Sequence, residues 1–300
     1  LSLEELIMNK QTKVWLVLSI ALSLLALGSA CGGGTTNNNT GGTNSNATAE
    51  AGPYSGPTGT ITGVISYNGT PPAPKKIDTT ADPVCGQKNP NLVTDDTIVK
   101  DGKLANTFVY IKDGSVEGGK KIGDYGWPVP STPVRLDQNG CHYAPHVLGI
   151  QANQKLSITN SDATQHNIHP TPKLNPEWNQ TQANGAPPIE KTFARPEVLI
   201  PVKCNQHPWM KAYIGVMRHP LYAVSSDAGA FEIKGVPPGN YTVVAWREGG
   251  ANGEEKTMQV TVPANGSAKA DFAFGAPATS SIKPSLQMMP ALELPSVHRH

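Results

Sequence analysis

The sequence contains the stretch Cys204-Asn205-Gln206-His207-Pro208-Trp209-Met210. It places a thiol, an imidazole and a thioether at three-residue intervals on one short loop, and a second imidazole, that of His166, lies upstream. A thiolate favours Cu(I), imidazole tolerates Cu(II), and a thioether suits a weak axial position. Because the loop is too short for its side chains to spread far apart, the pattern predicts a copper site.

Several alternatives remain open for this site. Zinc also binds one cysteine and two histidines beside an open fourth position, although a methionine there favours copper. His169 is an alternative to His166 as the upstream ligand, and we prefer His166 because Asn167 follows it. Met210 could be an ordinary core residue, although its spacing from His207 favours a ligand.

The composition indicates a globular protein made of short strands. The chain has 300 residues, 38% of them hydrophobic, and a formal net charge of +1, which implies neither nucleic acid nor an acidic substrate as a partner. Thirty glycines and twenty-seven prolines indicate many turns. Strand-like patterns at residues 60–66, 107–112, 155–160, 231–233 and 241–246 predict an all-β sandwich architecture. No hydrolase or phosphate-binding motif occurs, so we expect no enzymatic activity.

The amino-terminal sequence predicts a signal for export and a site for a lipid anchor. Residues 1–30 are predicted to be a lipoprotein-type signal peptide, because a basic segment precedes a short apolar run and small residues precede Cys31. Gly28 departs from the aliphatic residue usual at that position, so ordinary cleavage after Ala30 is the alternative. Residues 31–58 are predicted to be a flexible tether and residues 276–300 a disordered tail. We expect an exported protein, periplasmic or at the cell surface, anchored to the membrane through lipid on Cys31.

One simple assignment accounts for all four cysteines as a lipidation site, a disulfide and a metal ligand. An exported chain meets an oxidising compartment, and with Cys31 lipidated three cysteines remain. A disulfide between Cys85 and Cys141 would leave Cys204 as the lone thiol for a metal. The alternative, a disulfide that uses Cys204, would leave no thiolate for copper.

Residues 134–218 resemble cupredoxins. The resemblance is carried by Tyr143-Ala144-Pro145-His146-Val147, by the strand at 154–160 with His166-Asn167 after it, and by the spacing C-x2-H-x2-M, which is similar to that of amicyanin. It implies His166, Cys204, His207 and Met210 as ligands of one type 1 copper per chain. It also implies that Asn167 ties the two ligand-bearing loops together and that Pro208 restrains the backbone. Lys203 departs from the aromatic residue frequent before the cysteine.

A second resemblance is to carboxypeptidase regulatory-like, transthyretin-like modules. It is carried by residues 226–243, within which 227–241 read D-x-G-x-F-x-I-x-x-x-P-P-G-x-Y, and by the strand at 59–64 with the turn at 68–72. We expect the cupredoxin-like segment to be inserted into this module, whose halves are residues 59–133 and 219–275. The predicted architecture is therefore a cupredoxin-like Greek-key β-sandwich plus a transthyretin-like β-sandwich.

The copper ligand set and the cupredoxin resemblance imply a carrier of single electrons. Its expected partners are redox proteins such as a c-type cytochrome or a dehydrogenase, with His207 near the surface as the exit. Two other functions stay open: copper binding or delivery without redox cycling, and cell-surface adhesion or carbohydrate binding by the sandwich. Outside the site, we expect His142 and His146 to be structural or surface residues. The carboxylates of Asp162, Glu177 and Glu190 are expected to be solvated surface charges.

Overall fold

The computed structural model describes residues 52–249 and 253–275. The predicted signal peptide at residues 1–30, the lipidation site Cys31, most of the predicted tether and the tail at 276–300 lie outside the described residues. Within the described ranges, no helix is both long enough and apolar enough to cross a membrane.

The regular secondary structure of the described residues is almost all β-strand, which confirms the predicted all-β class. The strands before residue 133 are β1 (Gly59–Asn68), β2 (Val99–Lys100), β3 (Lys103–Leu104) and β4 (Phe108–Val116). The strands of the middle of the chain are β5 (Val134–Gln138), β6 (Tyr143–Ala144), β7 (Val147–Gln151), β8 (Leu156–Asn160), β9 (His166–Pro170), β10 (Gln180–Gln182), β11 (Ile189–Lys191), β12 (Glu197–Lys203) and β13 (Lys211–Met217). The last strands are β14 (Tyr222–Val224), β15 (Ala230–Val236), β16 (Gly239–Arg247), β17 (Glu254–Val262), β18 (Ser267–Lys269) and β19 (Phe272–Gly275).

The first sandwich joins strands from both ends of the described chain. One of its sheets has the order β15-β1-β3-β2, with β18 and β19 also paired to β1, and the other has the order β14-β4-β16-β17. In β1 alternate residues are buried, so Ile61 and Ile65 face a core that also contains Val109 of β4 and Val243 of β16. This alternation is the period of a strand with one face on a core.

The second sandwich uses only strands from the middle of the chain. Its sheets have the orders β10-β9-β12-β13-β7 and β11-β8-β5-β6. They enclose a core that includes Leu136, Ile158, Ile200 and Ile214. Strands within residues 134–218 pair with one another, and the strands before this segment pair with those after it. An inserted segment would produce this pattern. The domain boundaries themselves stay our interpretation.

The two sandwiches pack against each other through sheets that are buried on both faces. In β4 four consecutive residues, 108–111, are buried because Val109 and Ile111 face the first core while Phe108 and Tyr110 face the second sandwich. Gly215 of β13 permits this contact, since a Cβ there would lie 2.4 Å from Phe108 Cζ. The absence of a side chain at this position lets the two sheets approach closely.

A charged cluster also bridges the two sandwiches. The buried His146 has its Nε2 2.7 Å from Glu248 Oε2, and its Nδ1 makes a less well aligned charge contact of 3.3 Å with Asp95 Oδ2. Asp95 Oδ2 also lies 3.2 Å from His142 Nδ1. Burial lowers the pKa of His146, but the two carboxylates outweigh burial and raise it to about 9. Both histidines thus have structural contacts at this boundary.

One short α-helix and one 3-10 helix (Ile122–Asp124) interrupt the β architecture of the described residues. Helix α1 (Pro83–Lys88) begins after Asp82, whose side chain accepts a hydrogen bond from the Val84 N–H, and Pro83 occupies its first turn. Asp followed by Pro is a typical helix start, although no helical periodicity accompanies it here. Cys85 of this helix forms a disulfide with Cys141 and packs into the core of the second sandwich. The helix thereby lies beside the loops that carry the predicted metal ligands.

Candidate metal centre

The loop at residues 204–210 connects the antiparallel strands β12 and β13. Inside it the Met210 N–H donates to the His207 carbonyl (2.9 Å) and the Cys204 N–H donates to the Met210 carbonyl (3.2 Å). These hydrogen bonds close the loop on itself. The side chains at its first, fourth and last positions are therefore held by backbone bonds at both ends.

Strand β9 brings His166 to this loop. The strand pairs with β12, and His166 is its first residue. His166 Nδ1 lies 2.9 Å from His207 Nδ1, and Cys204 Sγ lies 3.7 Å from the same His207 atom. One donor atom from each of the three residues lies within 4.8 Å of the others, and all three side chains are buried. Met210, the fourth predicted ligand, is fully buried at the end of the loop.

The alternative upstream histidine lies elsewhere. His169 is on the same strand, but its Nδ1 is 3.1 Å from Asn205 Oδ1 and its Nε2 is 2.6 Å from Glu177 Oε1. The structure brings His166, and not His169, to the cysteine.

Carboxylates hold both imidazoles from behind. His166 Nε2 is 2.9 Å from Asp162 Oδ2, and His207 Nε2 is 3.0 Å from Asp82 Oδ2. An ionised carboxylate only accepts hydrogen bonds, so each Nε2 carries the proton, and in a neutral imidazole Nδ1 is then a free lone pair. Both lone pairs point to the space beside the thiol. Carboxylates behind metal-binding histidines fix ring orientation in this way.

The charges around the three donors favour a bound cation. Two bare nitrogen lone pairs 2.9 Å apart repel, so a proton or a metal ion must lie between the Nδ1 atoms of His166 and His207. Burial raises the pKa of the Cys204 thiol, but the two neighbouring imidazoles outweigh burial and lower it to about 5. Burial lowers the pKa of His166, but Asp162 and Cys204 outweigh it and raise it to about 9. Cys204 is thus a thiolate at neutral pH, the form in which it binds metals.

Asn167 connects the two loops, as the cupredoxin resemblance implies. Its Oδ1 accepts from the Asn205 N–H (2.8 Å) and lies 3.4 Å from Cys204 Sγ. Trp209 packs on the His207 ring with centroids 5.1 Å apart, remains partly exposed, and donates to the Cys141 carbonyl. Pro208, between them, is exposed.

Two expectations about this region are wrong. His207 is only 4% exposed, because Asp82 and helix α1 cover the side of its ring that we expected to face solvent. Asp162 is a buried anion and not a surface charge: it accepts from the Gly140 and Cys141 N–H groups as well as from His166. Glu177 and Glu190, in contrast, are more than half exposed.

Sequence reasoning missed the role of Asp82. The only local signal is its position before Pro83, which indicates a helix start and not a contact with a residue 125 positions away. Its pairing with His207 depends on the path of the chain through the disulfide at Cys85.

Comparisons with known proteins give two kinds of similarity. The model of the family described as polysaccharide lyase family 4, domain II, matches residues 221–270. This differs from the carboxypeptidase regulatory-like module, so that resemblance gains no support. A search of curated protein sequences finds no match.

Among solved structures, similar chains include three copper proteins. A copper-containing nitrite reductase from Thermus scotoductus is 22% identical over 29% of this chain and 23% of its own, with a TM-score of 0.27. A purple cupredoxin from Nitrosopumilus maritimus is 20% identical over 28% of this chain and 98% of its own, with a TM-score of 0.24. Amicyanin from Paracoccus versutus is 15% identical over 36% of this chain and 96% of its own, with a TM-score of 0.26. The chain spans about a quarter of the reductase, and scores at this level carry no argument about function.

Proposed function

We propose that the chain is an extracytoplasmic type 1 copper protein that carries single electrons between redox partners. His166, Cys204 and His207 would hold the metal, with Met210 as a weak axial ligand. Copper bound there would supply a one-electron couple between Cu(I) and Cu(II). A c-type cytochrome or a dehydrogenase is the proposed class of partner, and lipid on Cys31 the proposed anchor.

The observation that carries the proposal is that three buried donor atoms converge, while the two imidazoles carry their Nε2 protons on the side facing away from the shared space. Cys204 Sγ and the Nδ1 atoms of His166 and His207 share one space, and carboxylates hold the Nε2 protons on the far sides of both rings. A rigid set of this kind keeps its geometry when a bound metal changes oxidation state. Small reorganisation is what rapid electron transfer requires.

The surroundings of the thiol support metal binding over covalent catalysis. Cys204, His207 and Asp82 form a chain of contacts that could in principle activate a nucleophile. However, Cys204 is only 2% exposed, so the sulfur has no open face for a substrate. A buried methionine beside one thiolate and two imidazoles suits copper better than zinc, which prefers harder fourth ligands or water.

Optical and electron paramagnetic resonance spectra of the full chain, loaded with Cu(II), test the proposal. We expect an intense thiolate-to-copper band and a narrow hyperfine splitting, both lost in Cys204→Ala and in His166→Gln. His169→Gln is the matched control, since this histidine lies on the same strand but outside the cluster, and should keep both signals. A colourless protein, or equal loss in the control, would refute the proposed centre. Copper that binds only as loosely exchanging Cu(I) would instead indicate delivery.

A second candidate function rests on the match of residues 221–270 to a polysaccharide lyase domain. It is binding of carbohydrate by the first sandwich, independent of any metal. Binding of the chain to a polysaccharide array, unchanged in Cys204→Ala, would support it.

A further inference from the structure

We propose that Asp82 is a positioning residue for the metal centre: it closes the site over His207 and biases the bound copper toward its higher oxidation state. The effect of Asp82 on the oxidation state of copper rests on the proposed function, whereas the closure of the site over His207 does not. It assigns a role at the centre to a residue that lies outside the segment resembling cupredoxins.

Asp82 makes three contacts that fix both of its carboxylate oxygens. Oδ1 accepts from the Val84 N–H (3.0 Å), which caps helix α1, and Oδ2 accepts from Thr164 Oγ1 (2.7 Å) and from His207 Nε2 (3.0 Å). Thr164 lies two residues before the ligand His166. The carboxylate therefore joins the helix to both loops that carry ligands.

The backbone around Asp82 is anchored to the second sandwich. Cys85 forms a disulfide with Cys141, and atoms of Asp82, Cys85 and His207 lie within 4.8 Å of one another. Lys88 at the end of the helix lies 3.7 Å from Asp162, the carboxylate behind His166. The helix thus lies against His207 and, through Lys88, contacts the carboxylate behind His166, and the disulfide limits its freedom to move away.

This arrangement gives His207 the same kind of support as His166. Asp162 belongs to the second sandwich and is 1% exposed, whereas Asp82 arrives from the earlier part of the chain and is 16% exposed. A negative charge behind a ligand favours the more positive oxidation state of a bound metal. A ring held by hydrogen bonding through Nε2 also keeps Nδ1 directed at the metal in both states.

The substitution Asp82→Asn removes the negative charge of this side chain and should leave the fold intact. Asparagine caps helices as well as aspartate does, so α1 should remain. With its carbonyl on the Val84 N–H, the amide turns an N–H donor toward His207 Nε2, which is itself a donor. The matched control is Asp78→Asn, which removes an exposed carboxylate from the same segment; the Asp78 carboxylate accepts from the Thr80 N–H.

The first measurement uses the metal-free full chain with ¹⁵N-labelled histidine. In the wild type and in Asp78→Asn, the ring Nε2–H proton of His207 should exchange slowly with solvent, as should that of His166. In Asp82→Asn, protection at His207 should fall at least tenfold while protection at His166 stays unchanged. Equal exchange at His207 in all three proteins would overturn the proposed closure.

The second measurement is the reduction potential of the copper-loaded proteins. Asp82→Asn should shift the preference for Cu(I) over Cu(II) at least tenfold, about 60 mV upward for a one-electron couple, and Asp78→Asn should not. A potential equal to that of the control would overturn the bias. If the wild type holds no copper, the proposed function fails, and proton exchange at His207 alone decides whether Asp82 closes the site.

Discussion

Removal of the disulfide between Cys85 and Cys141 should lower the free energy of unfolding by about 4 kcal/mol. The bond joins residues 56 positions apart. Closing a loop of that length removes about 14 cal/mol/K of entropy from the unfolded chain, which is about 4 kcal/mol at 25 °C. Both cysteines are fully buried, so alanine is the appropriate replacement, because a serine hydroxyl would lack a hydrogen-bond partner.

Urea unfolding of the metal-free protein, followed by tryptophan fluorescence and circular dichroism, measures the loss. Cys204→Ala serves as the common background, so that its thiol cannot exchange with the others. In this background Cys85→Ala, Cys141→Ala and the double variant should lose nearly equal free energy, because each removes the same bond. Losses that add, or a loss below about 1 kcal/mol in the double variant, would refute the argument from chain entropy.

Three further predictions concern the boundary between the sandwiches and the electron path. Because carboxylates raise the pKa of His146 to about 9, their stabilisation is complete below the unfolded pKa near 6.5 and is lost as pH rises through 9. Unfolding free energy should therefore fall by about 3 kcal/mol over that range in the wild type and much less in His146→Gln. Trp209→Leu should keep the copper spectrum but slow electron self-exchange at least tenfold, measured by NMR line broadening, since this partly exposed ring contacts His207; an unchanged rate would exclude the route. Gly215→Val should cost about 3 kcal/mol in urea unfolding, because its Cβ would collide with Phe108, and a neutral substitution would contradict the close packing.

Local sequence signals indicated five of the nineteen strands in the described ranges and singled out the ligand loop, because both depend on short-range patterns. Alternating apolar residues indicated β1, and the structure extends that strand to Gly59–Asn68. Cys204 and His207 were recognisable because one loop carries both.

The carboxylates could not be found in the same way. Asp82 and Asp162 look like any surface aspartate in the sequence, and only the tertiary path of the chain places them behind imidazoles. The same holds for the run of buried residues in β4, since its second buried face exists only because another sandwich packs on it.

The positions of the cysteines along the chain also determine the order in which they could form a disulfide during export. A chain exported from its amino end presents Cys85 and then Cys141 to the oxidising side before Cys204 has emerged. The two earlier cysteines can therefore pair while the third is still within the secretion channel. In an exported chain, as we propose, the late position of Cys204 would protect it from mispairing during biogenesis, before any metal is present to do so.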